Sequence, residues 1–225
     1  MRYLSKGLLH IPNGTDVIFG DQGAGFVHGD GNLTQYASGL YYHTAMYNDH
    51  ANQLTEMIPV SRIIAQIYQI FIALAKKYSV FVLNTSDMRP VGMTTNAAFR
   101  ITRNPDEFFD SLKALAETKM IEYKSGARAS AQGEHGAPAD IEAARSLLQA
   151  MGAGKTKVEG AIGEAWMSID PNATALLYYE QWAREQYGLG ANPNAAASVA
   201  KIWATYFQVS YIQAGYSDNM LAASA

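Results

Sequence analysis

The strongest periodic pattern in the chain lies in residues 59–77. Large apolar side chains recur there at spacings of three and four residues, which is the period of an α-helix with one buried face. Arg62, Gln66 and Gln69 lie on the opposite side. Because such a helix must cover its apolar stripe, the chain has to build a core around this segment. The stripe consists of Val60, Ile63, Ile64, Ile67, Ile70, Phe71 and Leu74.

The polar side chains of this segment also argue against a membrane span. A spanning helix needs about 20 predominantly apolar residues, and Arg62, Gln66 and Gln69 interrupt the first half of 58–78. A Pro-Asn-Gly run at 12–14 interrupts the start of the chain, which therefore does not read as a signal peptide. We expect no membrane span and synthesis in the cytoplasm, with incorporation into a virion or another large complex.

The chain divides at 124–139, a run rich in Gly, Ser and Ala without a large apolar side chain. Such a run is typical of a linker or a long loop. Before it, 1–123 combines a glycine-rich N-terminal arm with strand-like and helical segments. After it, 140–225 is helical. The sequence therefore predicts a mixed α+β fold that is mainly helical, with a small α+β N-terminal part followed by an all-α C-terminal part.

Within the first part, the sequence predicts an early helix and several strands. Aromatic residues crowd 34–56, where we expect the helix, and 96–103 reads as either a strand or a short helix. Short apolar runs bounded by turn residues are typical of strands. The strand-like runs are 15–20, 78–84 and 119–126.

Two helix starts carry strong local signals. Asn104 and Asp170 are each followed by a proline, and a capping side chain before a proline is typical of a helix N-terminus. Further helices are expected to begin near Asp140 and Asn194.

The surface composition and the C-terminal aromatics favour a protein partner. Charged residues make up only 16% of the chain, and there are 14 Tyr, whereas interfaces deplete charge and enrich Tyr and Trp. On each of the last two helices, some aromatic rings lie outside the stripe that we expect to face the core. On the last helix, this expected core stripe consists of Val199, Ile202, Trp203, Tyr206 and Val209. The rings predicted to anchor an interface are Tyr178, Trp182, Phe207 and Tyr211.

These features favour a non-enzymatic structural or assembly subunit of a larger complex, of the virion or secretion-machine type. Its partners would be other protein subunits, either copies of this chain or different ones. Neither half of the chain is basic, so a nucleic-acid partner is not favoured.

The first alternative is a winged-helix DNA-binding or adaptor protein. Residues 94–133 can be drawn as helix, turn, helix, strand and wing. The supposed recognition helix, however, begins with Asp106 and Glu107 and also carries Asp110. These carboxylates would face the DNA phosphates.

No cofactor or metal site is predicted. Cysteine is absent, which excludes disulfides and thiolate ligands. Gly154, Lys155 and Thr156 match the end of a phosphate-binding loop, but Gln149 stands where its first glycine belongs. A predicted helix precedes these residues in place of the required strand. The sequence therefore predicts no nucleotide site.

The second alternative is a cofactor-independent enzyme that uses Asp, His and Tyr, with the glycine-rich arm 20–31 as a lid. No catalytic residue stands out for it. On a helix, His43 and His50 would lie roughly 10 Å apart along the axis, too far for one metal ion. This alternative requires that His28, His43 or His50 meets a carboxylate.

Limited proteolysis tests the division of the chain. Because 124–139 lacks apolar anchors, trypsin at a low ratio should cut near Lys124 or Arg128 before it cuts the helices. Mass spectrometry of the first fragments measures this. Early cleavage at Lys76 or Lys77, with 124–139 intact, would contradict the predicted division.

Overall fold

In a computed structural model, the protein consists of two compact units. One unit is Met1–Thr102 with Ser210–Ala225, and the other is Arg103–Val209. A small parallel sheet lies near the N-terminus and helices follow it. The predicted fold class, mainly helical α+β with an all-α part at the end, is confirmed. The residues that the structure describes are 10–21, 25–27, 37–47, 55–72, 79–85, 92–125, 138–153 and 169–213.

The first unit is built on a three-stranded parallel sheet and a short antiparallel pair. The parallel sheet has the order β1-β2-β5, and β3 pairs with β4. In the register of the parallel sheet, Gly20 lies opposite Tyr41 and His43 lies opposite Asn84. The strands are β1 (Val17–Gly20), β2 (Ala37–His43), β3 (Ala45–Tyr47), β4 (Thr55–Met57) and β5 (Val80–Asn84).

The two faces of β2 have different surroundings. Leu40 and Tyr42 are buried in the core of the unit. Tyr41 and His43 alternate with them along the strand and are half-buried on the other face. Gly39 allows the strands to approach, because a Cβ at this position would lie 2.8 Å from a backbone oxygen of β5.

The periodic segment forms α1 (Val60–Ile63), which continues as a π-helix over Ile64–Ile72. The stripe residues whose side chains the structure describes, Val60, Ile63, Ile64 and Ile67, are buried, as expected. The rest of the predicted stripe lies outside the described side chains. Gln66, which the pattern places on the polar side, is only 6% exposed. The segment is therefore buried on more than one side, and this polar side chain needs a partner in the protein.

Two segments differ from their predicted structure. Residues 34–56 were expected to be helical, but they contain β2, β3 and the first part of β4. The pairing of β2 with β1 and β5 is supplied by distant parts of the chain, so the local pattern does not reveal it. The run 119–126 was expected to be a strand, but its residues up to Lys124 continue a helix. The alternative of a short helix for 96–103 is confirmed.

The second unit is helical, and its predicted caps form. The Asn104 side chain accepts a hydrogen bond from the backbone N–H of Glu107, and the Asp170 carboxylate accepts two from the first turn of its helix. Within the described residues, no helix has the length and apolar character needed to cross a membrane. Among the described residues after β5, the first α-helix is α2 (Gly92–Arg103), which lies in the first unit as far as Thr102. The α-helices described after it are α3 (Pro105–Lys124), α4 (Ala139–Ala153), α5 (Pro171–Gln186) and α6 (Pro193–Gln213).

The predicted linker lies largely outside the described residues, since the structure describes 124–125 and 138–139 but not 126–137. The division of the chain into 1–123 and 140–225 therefore stays a prediction.

A buried ion-pair cluster joins three helices of the second unit. Lys119 of α3 lies 2.6 Å from the Asp140 carboxylate of α4 and 2.5 Å from the Glu180 carboxylate of α5. The second oxygen of Glu180 accepts from the Arg184 guanidinium at 2.8 Å. Lys119, Asp140 and Glu180 are all buried. Charges taken out of water need partners of opposite sign, so these side chains fix how the three helices pack.

Replacing Lys119 with Met should strongly destabilise the helical unit. The change keeps a side chain of similar length but removes the ammonium group that both buried carboxylates contact, and breaking a buried pair costs about 3–5 kcal/mol. Urea unfolding followed by circular dichroism measures the loss. Lys113→Met is the matched control, because Lys113 on the same helix is half-exposed and lies 3.9 Å from Glu117. It should cost less than about 1 kcal/mol, and equal losses in both variants would contradict the structural role of the cluster.

Candidate functional site

The carboxyl ends of the three parallel strands meet at one edge of the sheet. Asp21 directly follows β1, His43 ends β2 and Asn84 ends β5. In sheets of parallel strands, ligand sites lie at this edge. The polar side chains that converge there, together with Tyr41, are called the edge cluster.

The closest contact in the edge cluster joins His43 to Asp21. The Nδ1 atom of His43 lies 2.5 Å from Oδ1 of Asp21, and the other carboxylate oxygen accepts from the His43 backbone N–H at 2.9 Å. The Asp21 side chain is fully buried, whereas 20% of the His43 side chain is exposed. Both oxygens of the carboxylate therefore hold His43, one through the ring and one through the backbone.

This arrangement determines which ring nitrogen of His43 faces outward. A carboxylate at Nδ1 keeps the proton on that nitrogen. The opposite nitrogen, Nε2, has no hydrogen-bond partner among the described residues. In the neutral ring with its proton on Nδ1, Nε2 can accept a hydrogen bond from a ligand.

Tyr41 and Asn84 complete the edge cluster. The Asn84 side-chain amide donates to the Tyr41 hydroxyl at 2.6 Å. The Tyr41 ring meets the His43 ring edge to face, with their centroids 5.1 Å apart. Tyr41 and His43 lie on the same face of β2. A ligand bound at Nε2 of His43 would therefore lie next to the Tyr41 ring and to the hydrogen-bonded Tyr41 hydroxyl and Asn84 amide.

The sequence patterns point to this site only in part. His43 was considered, but on a helix and with His50, whereas it lies on a strand and pairs with a carboxylate. Asp21, Tyr41 and Asn84 were not singled out. The available signal is that Asp21 follows one strand-like run and Asn84 ends another, which places both at one edge if the strands are parallel.

Several other candidates lie outside the described residues or fail to form a site. His28, His50 and the Gly-Lys-Thr segment 154–156 are not described by the structure, and of the glycine-rich arm 20–31 only 20–21 and 25–27 are described. Among the described residues, no group of three His, Asp or Glu side chains is arranged to hold a metal ion.

Residues 1–134 match the family model described as glycosyl hydrolase family 115. The match covers more than half of the 225 residues and includes the whole edge cluster. No curated protein matches the chain.

The four rings predicted to anchor an interface have different positions in the structure. Tyr178 is buried beside Phe108, with their ring centroids 5.5 Å apart. Trp182 is half-buried next to Tyr178. Tyr211 belongs to α6, but its side chain lies outside the described residues.

Phe207 is only 2% exposed and stacks on Tyr179 at 5.4 Å between centroids. On α6 the expected core stripe includes the residues that the structure exposes, since Ile202 is 67% exposed and Tyr206 and Val209 are also exposed. The face of α6 that packs inward is thus rotated from the predicted one. The predicted interface through Tyr178, Trp182, Phe207 and Tyr211 stays a prediction.

The burial of Phe207 predicts a core lesion on its replacement. Phe207→Ala should lower the free energy of unfolding by about 3–5 kcal/mol, because it leaves a cavity beside Tyr179. Ile202→Ala on the exposed face of the same helix should change it by about 0.5 kcal/mol or less. Thermal unfolding together with light-scattering mass measures both effects. A stable Phe207→Ala variant with a reduced mass would instead support the interface prediction.

Proposed function

Because the chain belongs to glycosyl hydrolase family 115, we propose that it takes part in the hydrolysis of glycosidic bonds and that its edge cluster binds the sugar. The observation that carries the assignment of the site is the 2.5 Å contact between His43 and Asp21. It lies at the edge of a parallel sheet where ligands bind in related architectures, and within the residues that match the family.

This family corrects the function expected from the sequence. A non-enzymatic structural or assembly subunit is wrong, and so is the description as a virion component, because the family consists of carbohydrate-active enzymes. The winged-helix alternative also fails on geometry. Its recognition helix and its wing strand are one continuous helix, α3, as far as Lys124. Low charge and abundant tyrosine do not distinguish the surface of an assembly subunit from the surface of an enzyme.

His43 is the group that we assign to direct contact with the sugar. Its outward Nε2 can accept a hydrogen bond from a hydroxyl group, or donate one when the ring is protonated. The Tyr41 ring beside it offers an aromatic edge, and the Tyr41 hydroxyl is held by Asn84. A site with several oriented polar groups next to an aromatic ring suits a ligand that is rich in hydroxyl groups.

Asp21 acts through His43 and does not itself attack the sugar. Most glycoside hydrolases use two carboxyl groups on either side of the bond that breaks. Asp21 is fully buried and both of its oxygens already accept hydrogen bonds from His43. Among the described side chains of the first unit, the other carboxylate is Asp16, which precedes β1 and bonds Ser79 ahead of β5, at the opposite edge. We therefore assign sugar binding, and not bond cleavage itself, to the edge cluster.

The effect of His43→Gln on glycoside hydrolysis tests the proposal. The full chain is assayed for sugar release on a panel of neutral and acidic aryl glycosides and oligosaccharides. Loss of a hydrogen bond supported by a charged partner is worth about 1.5–3 kcal/mol. His43→Gln should therefore lower kcat/KM by about 10- to 100-fold on whichever substrate the parent cleaves.

His10→Gln is the matched control, because His10 is exposed and lies before β1. It should retain the activity of the parent. Absence of hydrolysis by the parent on every glycoside would contradict the proposed activity. Full activity in His43→Gln would contradict the assigned site while leaving the activity in place.

A further inference from the structure

The segment 25–27 folds back onto the residue that holds His43. Val27 forms an isolated antiparallel bridge with Asp21. The Tyr42 hydroxyl donates to the Gly25 carbonyl at 2.9 Å. Gly25 has a φ of +74°, and a Cβ there would lie 2.8 Å from that hydroxyl oxygen. The backbone approaches Tyr42 this closely only because no side chain intervenes.

The π-helix supplies a second anchor for this segment. The Gln66 side-chain oxygen accepts a hydrogen bond from the backbone N–H of Val27 at 2.8 Å, in a buried position 39 residues away along the chain. One turn earlier, the Arg62 guanidinium lies 4.1 Å from the centroid of the Phe26 ring. Two side chains of one helical face therefore contact consecutive residues of the segment. Irregular π-helical turns are frequent at functional sites.

We propose that Gln66 is a positioning residue for the sugar-binding histidine. The connection runs from Gln66 to Val27, from Val27 across the bridge to Asp21, and from the Asp21 carboxylate to the His43 ring. Each step is a short-range contact that fixes the next. Without the Gln66 oxygen, the buried N–H of Val27 loses its acceptor and the segment has to move to find another one. A contact as short as the one between Asp21 and His43 does not survive a displacement of about 1 Å.

The test compares Gln66→Leu with Gln149→Leu by NMR and by hydrolysis. Gln149 is an exposed residue of α4 in the other unit. The Nδ1 proton of His43, bonded to a carboxylate, should give a resonance well downfield of ordinary ring protons, assigned by its loss in His43→Gln. We expect Gln66→Leu to lose or broaden this resonance and Gln149→Leu to retain it. The hydrolysis readout rests on the proposed function, and kcat/KM should fall about tenfold in Gln66→Leu only.

The two readouts separate the inference from the proposed activity. Loss of the resonance in a folded Gln66→Leu supports the positioning role even if the parent cleaves no glycoside. An unchanged resonance in the folded variant overturns it. If Gln66→Leu does not fold, Gln66→Asn replaces it, because this variant keeps a polar amide that is too short to reach Val27. Failure of both variants to fold also overturns the proposal, since Gln66 would then support the whole core and not the histidine in particular.

Discussion

Parallel pairing of β1, β2 and β5 is the constraint on which the site depends. Strands that run in the same direction end at the same edge, so Asp21, His43 and Asn84 meet there although they are far apart in sequence. The central position of β2 then places His43 between its carboxylate partner on one side and the Tyr41–Asn84 pair on the other. The chemistry proposed for the chain follows from this arrangement, with no need for an unusual residue.

Local signals in the sequence were enough to predict much of the helical structure. Asn104 and Asp170 cap the helices they were expected to begin, because a cap depends on neighbouring residues alone. The strand β2 was predicted as a helix because its hydrogen-bond partners come from distant segments. The run 119–126 was predicted as a strand, although its residues up to Lys124 are helical. The local pattern does not reveal that Lys119 is held by carboxylates on two other helices. The candidate site could not be predicted for the same reason: the parallel pairing that brings Asp21 to His43 is not visible in the sequence around either residue.

The expectation of an assembly subunit, which the family match overturns, depended in part on the positions of aromatic rings. Phe207 and Tyr178 were expected to lie beside the core, yet both are inside it. Helical periodicity gives the angle around the helix axis between two side chains. It does not show which face of the helix packs into the core when aromatic rings lie on most of its circumference. On α6, the stripe expected to form the core includes the exposed residues Ile202, Tyr206 and Val209. The function proposed for the chain depends instead on a histidine on a strand.

The buried cluster around Lys119 also constrains how the helical unit can diverge. Two cationic and two anionic side chains balance one another across three helices. A relative that loses Lys119 would keep a surplus of buried negative charge unless Asp140 or Glu180 also changed. In relatives that keep all three helices, substitutions at these positions are therefore expected to occur together, although α3, α4 and α5 are separate in the sequence.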